Sequence, residues 1–91
     1  MTRKLAYRIP FLIDVEGDRI VLRNDTAEHL PWVSVQVVSN DLMAPVAPGH
    51  MLPFTQLRFA AGTLLTSPTA TLQVTWLRES GEGPYVWLAV L

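Results

Sequence analysis

Apolar and polar side chains alternate along most of this chain, with the period of two that places successive side chains on opposite faces of a β-strand. The alternation is clearest from Thr71 to Arg78, where Leu72, Val74 and Trp76 occupy every second position. Turn-forming residues recur roughly every ten residues, and no segment carries apolar residues at helical spacing. The sequence therefore predicts an all-β domain.

The alternating segments and the turns between them predict the order of the strands. Strands are expected over residues 7–15, 19–23, 32–39, 51–59, 71–78 and 85–91, with loops at 24–31, 40–50 and 79–84, and with 63–66 as either a short strand or an ordered loop. A chain of 91 residues is long enough for one domain and too short for two, so residues 1–91 are expected to form a single domain. An antiparallel β-sandwich of six to seven strands accommodates these elements, and a small β-barrel is the alternative.

The number of strands decides which loops lie together. With seven strands, the loops at 24–31 and 79–84 share one end of the sandwich. With six strands, the 79–84 loop lies instead at the end that holds Glu16 and Asp18. The sequence is compatible with both arrangements.

The last two predicted strands form a hairpin around the polar loop at residues 79–84. A loop symmetric about its centre, Gly81-Glu82, gives the inner cross-strand pairs Trp76–Trp87, Val74–Ala89 and Leu72–Leu91. The outer face of the same hairpin then carries four apolar residues, Leu77, Val86, Leu88 and Val90. Because a two-layer sandwich covers only one face of each sheet, these four need cover from residues 60–68 or from another chain. They are the candidate interface, with a protein partner or a second copy of this chain as its occupant.

The balance of charge argues against several classes of function. Seven Lys and Arg residues are matched by eight Asp and Glu residues, so the basic stripe of a nucleic-acid-binding protein is missing. No stretch reaches the ~20 apolar residues of a membrane-spanning helix, and residues 1–8 lack the apolar run of a signal peptide. We therefore expect neither nucleic-acid binding nor membrane insertion. The lack of cysteine is compatible with any cellular compartment.

The residues able to carry chemistry are few and scattered. No serine lies in a Gly-x-Ser-x-Gly motif, and no glycine-rich segment leads into a helical pattern, so neither an activated nucleophile nor a phosphate-binding loop is indicated. Asp25, Glu28 and His29 are close in sequence, and His50 lies in a separate predicted loop. A metal site needs three or four convergent ligands, so a solvated turn explains the first three residues better than a metal does.

Three further acids, Asp14, Glu16 and Asp18, alternate along the first predicted hairpin and offer a second candidate metal site, for calcium. They lack the closely packed oxygens of a calcium loop, whereas charges at this position are a common means of preventing an edge strand from pairing with another chain. We therefore predict no catalytic residue, no cofactor and no metal, and a chain that is not an enzyme.

The order of the strand motifs resembles that of a known superfamily. Residues 20–24 form an alternating segment that ends in asparagine, residues 33–37 form a second, and Ala47-Pro48-Gly49 closes the following loop ahead of a hairpin that bears tryptophan. Over residues 19–78 this order is similar to bacterial immunoglobulin-like and fibronectin-type-III-like β-sandwich modules. The resemblance implies an immunoglobulin-like sandwich that serves in adhesion, spacing or protein binding and has no catalytic residues. The chain departs from antibody-type domains in having no cysteine pair, and Trp32 is the candidate for their buried tryptophan.

Two functions from different classes are compatible with these patterns. The first is a non-enzymatic protein-interaction or structural module that binds through an outer β face or an edge strand. The alternative is a small-ligand or carbohydrate-binding β module in which exposed tryptophans stack on a sugar. Burial of the three tryptophans separates the two functions, because a sugar platform needs exposed indole rings.

Overall fold

The computed structural model describes residues 7–39, 42–60 and 70–90, and it arranges them in seven β-strands. The strands are β1 (Phe11–Glu16), β2 (Arg19–Asn24), β3 (Leu30–Ser39), β4 (Leu42–Met51), β5 (Gln56–Ala60), β6 (Thr71–Leu77) and β7 (Tyr85–Val90). A three-stranded sheet in the order β1-β2-β5 packs on a four-stranded sheet in the order β4-β3-β6-β7, and all pairs are antiparallel. The predicted all-β sandwich is confirmed, with seven strands in two separate sheets rather than a closed barrel. Within the described residues, no helix is long and apolar enough to cross a membrane.

The core lies between the two sheets and is built from the alternating residues. Ile20 and Leu22 of β2 belong to one buried cluster with Val35 of β3 and with Leu72 and Val74 of β6. Along β6 the buried and half-buried positions alternate strictly, as the sequence predicts. Full burial of a Val, Leu or Ile side chain stabilises a fold by about 1.5–3 kcal/mol, so this cluster supplies the main driving force for packing the sheets.

The first hairpin forms as predicted, with a shorter first strand. Gly17 begins the two-residue turn between β1 and β2 with φ of 62°, a left-handed conformation that residues with a Cβ rarely adopt. β1 begins at Phe11 rather than at residue 7. The carbonyl of Pro10 accepts a hydrogen bond from Asp25 N–H at 2.8 Å, but Pro10 has no N–H to donate in return. The strand ladder therefore ends at the proline.

The middle of the chain differs from the prediction. Most of the residues expected to form a loop over 40–50 belong to β4, which ends at Met51, and the strand expected over 51–59 begins only at Gln56, as β5. Pro45 and Pro48 favoured a loop, because proline cannot donate to a strand ladder. β4 is however the edge strand of its sheet, where a residue without an N–H is tolerated, and its pairing with β3 contains register shifts.

The last hairpin has the predicted faces but a different register. The observed pairs are Leu72–Ala89, Val74–Trp87 and Trp76–Tyr85, two residues from the predicted ones. The chain reverses earlier than expected because Gly81 N–H donates to Arg78 O at 2.8 Å and closes the turn at that point. A shift of two residues preserves both faces, because side chains alternate with a period of two. Leu91, the predicted partner of Leu72, lies outside the described residues.

Candidate interaction surface

The outward side chains of β7 are apolar and exposed. Val86, Leu88 and Val90 have 59%, 61% and 83% of their surface accessible to solvent. Their neighbours across the strand pair on β6 are the polar residues Thr75, Gln73 and Thr71. The structure therefore places these three members of the predicted interface side by side on the outer face of the sheet. Residues 61–68, most of the segment suggested as an alternative cover, lie outside the described residues.

Leu77, the fourth member of the predicted interface, is half-buried and lies opposite Trp32 of β3. Trp32 is 37% exposed, so it belongs to the outer face, and the prediction that it fills the core is wrong. Trp76 of β6, only 2% exposed, occupies the core instead. The sequence of β3 already indicated the outward position of Trp32. Adjacent residues of a strand point to opposite faces, and the neighbouring Val33 is buried. Leu77 and Trp32 thus form an apolar pair on the outer face, whereas the neighbours of Val86, Leu88 and Val90 on β6 are polar.

Only one of the three tryptophans is available as a surface ring. Trp76 is buried, and Trp87 is half-buried and packed against the core cluster. The exposed Trp32 and the half-buried Trp87 lie on opposite faces of the sheet, so the carbohydrate-binding alternative rests mainly on Trp32, with Trp87 in the groove beside β7.

Each sheet ends in two edge strands, and these four strands differ in how they resist pairing with another chain. The protective residues are Asp14 and Glu16 on β1, Arg58 on β5, and Pro45 and Pro48 on β4. β7 contains neither a charged residue nor a proline. Within the described part of the chain, β7 pairs only with β6, and no described strand pairs with its other backbone edge.

An apolar groove runs beside this edge, between β7 and β1 of the other sheet. It has a volume of about 600 Å³, and its lining is apolar apart from one charged residue, Asp14, with Phe11, Leu12, Ile13 and Val15 on β1 and Trp87, Ala89 and Val90 on β7. The rings of Phe11 and Trp87 lie nearly parallel, with centroids 6.4 Å apart. β1 and β7 therefore flank one open side of the sandwich, where the side chains of an added strand have apolar surface to contact.

A charged cluster joins two loops at one end of the sandwich. Arg78 Nε and Nη2 donate to Glu28 Oε1 and Oε2 at 3.1 and 3.3 Å, and Glu79 N–H donates to Glu28 Oε1 at 3.2 Å. The Arg78 guanidinium holds the pKa of the Glu28 carboxyl below its usual value. These contacts show that residues 25–29 and 78–84 share one end, as predicted for seven strands.

The aromatic residues beneath Arg78 extend this cluster into the core. The Arg78 guanidinium lies 4.1 Å from the centre of the Tyr7 ring, and Trp76 Nε1–H donates to the Tyr7 hydroxyl at 3.0 Å. The Tyr85 hydroxyl donates to the Glu82 carboxylate. No buried side-chain nitrogen or oxygen in the described ranges lacks a partner. These groups are thus engaged in holding the loops and the core together, and the cluster has the properties of a structural element.

The two groups of candidate metal ligands do not assemble. Asp25 pairs with Arg23 at 3.5 Å, Glu28 is held by Arg78, and Glu16 pairs with Arg58 at 3.5 Å. Across residues 7–39, 42–60 and 70–90, no three His, Cys, Asp or Glu side chains converge on a point suited to a metal ion. The structure does bring His29 and His50 together, although the sequence places them in separate loops.

No family model, no curated protein and no solved structure matches this chain. Its function therefore has to be inferred from the surface of the molecule itself.

Proposed function

We propose that this chain is a non-enzymatic protein-interaction module whose contact surface is β7, and that a second copy of the chain is the partner that occupies it. The observation that carries this proposal is that β7 is the one edge strand among those described with neither charge nor proline, while its outward side chains are exposed and apolar. An edge of this kind is a template for strand addition, in which main-chain hydrogen bonds extend the sheet.

The sequence of β7 is suited to pairing with itself. In an antiparallel pair with a two-fold axis at Leu88, each Leu88 faces its own copy and Val86 faces the partner's Val90. Trp87 faces the partner's Ala89, a large residue against a small one. Because residues two apart share a face, the outward apolar side chains of both copies lie on one continuous surface. No like charges meet across the axis, since β7 has none.

The expected association is reversible. β7 is six residues long, so the strand pair itself is smaller than a standard protein interface. Partial covering of Val86, Leu88 and Val90 adds favourable apolar burial, whose upper bound is about 1.5–3 kcal/mol for each side chain. Because association also costs translational and rotational freedom, only part of this gain appears as affinity.

Kinship with immunoglobulin-like and fibronectin-type-III-like modules is part of the same proposal. It is supported by the sheets themselves, because the first, second and fifth strands share one sheet while the third, sixth and seventh share the other, as in immunoglobulin constant domains. The chain differs in β4, which pairs with β3 instead of joining the sheet of β1, β2 and β5. Such a module acts as an adhesive or spacing unit, which agrees with association through an edge.

Single cysteines test the proposed pairing, because the native chain has none. Leu88→Cys is expected to form a disulfide between two copies under mild oxidation. Residues directly opposite each other in an antiparallel pair have Cα atoms about 4.5–5.5 Å apart, within the range that a disulfide spans. Val86→Cys alone is expected to remain unlinked, whereas a mixture of Val86→Cys and Val90→Cys links.

Leu52→Cys is the matched control, because Leu52 is 52% exposed but lies between β4 and β5, outside the groove beside β7. The measurement is the rate of dimer formation on non-reducing gels, with mass spectrometry of the linked peptides. Leu88→Cys is expected to link at least about tenfold faster than Leu52→Cys, since association through β7 raises the effective concentration of the thiols at position 88 only. Equal rates for the two variants contradict the proposal.

A further inference from the structure

The structure brings together the only two histidines of the chain. His29 lies immediately before β3 and His50 lies near the end of β4. Nε2 of His29 is 3.2 Å from Nδ1 of His50, and the two rings are nearly perpendicular, at 88°. The adjacent backbone pair Leu30–Met51, whose side chains are both buried, fixes the relative position of the two segments. The imidazoles are therefore held together by the sheet and not by their own contact alone.

We propose that His29 and His50 together bind a divalent transition metal ion through the two facing nitrogens. With metal–nitrogen distances of 2.0–2.1 Å and tetrahedral angles, two imidazole nitrogens on one ion are about 3.3 Å apart. The observed separation of 3.2 Å agrees with this value. Without metal, one imidazole donates a proton to the other across the same gap. In the metal-bound state the ion replaces that proton, and the ring protons lie on Nδ1 of His29 and Nε2 of His50.

The surroundings determine which ions fit and how firmly they are held. His50 is exposed and His29 half-buried, so an ion reaches the pair from solvent. Imidazole nitrogen favours copper, nickel and zinc over calcium and magnesium, which prefer oxygen. Because no three ionisable ligands converge within the described residues, water completes the coordination. A cavity of about 80 Å³ bordered by His50, Thr55 and Gln56 offers space and polar groups for such water. The ion is expected to exchange readily.

The chain offers an unusually clean test, because it has no cysteine and no other histidine. Isothermal titration with ZnCl2 is expected to show one ion per native chain, and the thermal unfolding midpoint is expected to rise with zinc because the folded state alone holds the pair together. His29→Ala and His50→Ala are each expected to weaken zinc binding by roughly a hundredfold, since either change leaves a single imidazole. CaCl2 at the same concentration is expected to leave the midpoint unchanged.

The His50→Ala variant keeps the test decisive even if His29→Ala folds poorly, because His50 is exposed and its replacement removes little packing. Circular dichroism checks that each variant is folded. The proposal is overturned if the native chain binds no zinc at concentrations up to about 1 mM. A dissociation constant of about 1 mM corresponds to a binding free energy of only about −4 kcal/mol. It is overturned equally if a folded single variant binds zinc as well as the native chain. The outcome is independent of association through β7, because neither histidine lies on that strand.

Discussion

Replacement of Trp76 by alanine is expected to lower the free energy of unfolding by about 3–5 kcal/mol. The indole is buried between the sheets, meets the Phe11 ring edge-to-face at 5.0 Å, and stacks on Tyr85 at 5.6 Å. Alanine removes these contacts and leaves a cavity that the β-sheets on either side cannot fill. In a domain of this size each kcal/mol lowers the melting temperature by roughly 4–8 °C, so the effect is large in thermal or urea unfolding.

Trp32→Ala is the matched control, because it removes the same side chain from the outer face. Its expected cost is about 1–2 kcal/mol, less than that of Trp76→Ala because Trp32 is partly exposed. Trp76→Phe separates packing from hydrogen bonding, since phenylalanine keeps an aromatic ring but loses the 3.0 Å donation from Nε1–H to the Tyr7 hydroxyl. We expect an intermediate loss for this variant. If Trp32→Ala and Trp76→Ala destabilise equally, the assignment of the two tryptophans to opposite faces is contradicted.

Asn24→Ala is expected to destabilise the fold by about 2–4 kcal/mol, measured by urea unfolding. Asn24 is completely buried at the end of β2. Its Nδ2 donates to Glu28 O at 2.8 Å and to Leu52 O at 3.2 Å, and its Oδ1 accepts from the Thr26 hydroxyl at 2.7 Å. Alanine removes the donor from Glu28 O and the acceptor from the Thr26 hydroxyl, while Leu52 O still accepts from Thr55. The link between the turn at 52–55 and the loop at 25–29 is then reduced to backbone contacts such as Phe54 N–H to Thr26 O.

Asn24→Asp distinguishes the hydrogen bonds from the shape of the side chain. Aspartate fills nearly the same volume and still accepts from Thr26, but it presents an oxygen to the carbonyls of Glu28 and Leu52. It is therefore expected to destabilise at least as much as alanine. Gln56→Ala, the loss of an exposed amide on β5, is expected to change stability by less than about 0.5 kcal/mol. A near-native Asn24→Asp variant contradicts the role assigned to the Nδ2 donor.

The faces of the strands follow from the sequence, whereas the register of the last hairpin does not. Burial of Leu72, Val74 and Trp76 depends only on alternation, which a single sequence displays. The register depends on where the turn closes, and the Gly81–Arg78 hydrogen bond that closes it has no distinct signal among the turn-forming residues 79–84. The same alternation predicted which residues of β7 are exposed, because a register error of two residues leaves the faces unchanged.

The contacts between separate loops are the features of the structure that the sequence did not predict. The proline-rich segment over residues 42–51 has the composition of a loop, and it forms a strand because an edge position tolerates proline. That strand brings His50 to His29, and it brings Leu52 to the amide of Asn24. Local periodicity contains no information on contacts between residues that are far apart in sequence, because it describes one segment at a time.

Sedimentation velocity over a wide range of concentration tests most directly whether β7 is the contact surface of this protein. The samples are the native chain, Leu88→Lys and the control Leu52→Lys, each checked for folding by circular dichroism. We expect the native chain and Leu52→Lys to associate reversibly, and Leu88→Lys to sediment as a folded monomer, because the two lysines meet at the two-fold axis. A native chain that stays monomeric throughout, or a folded Leu88→Lys variant that associates as the native chain does, contradicts the proposal.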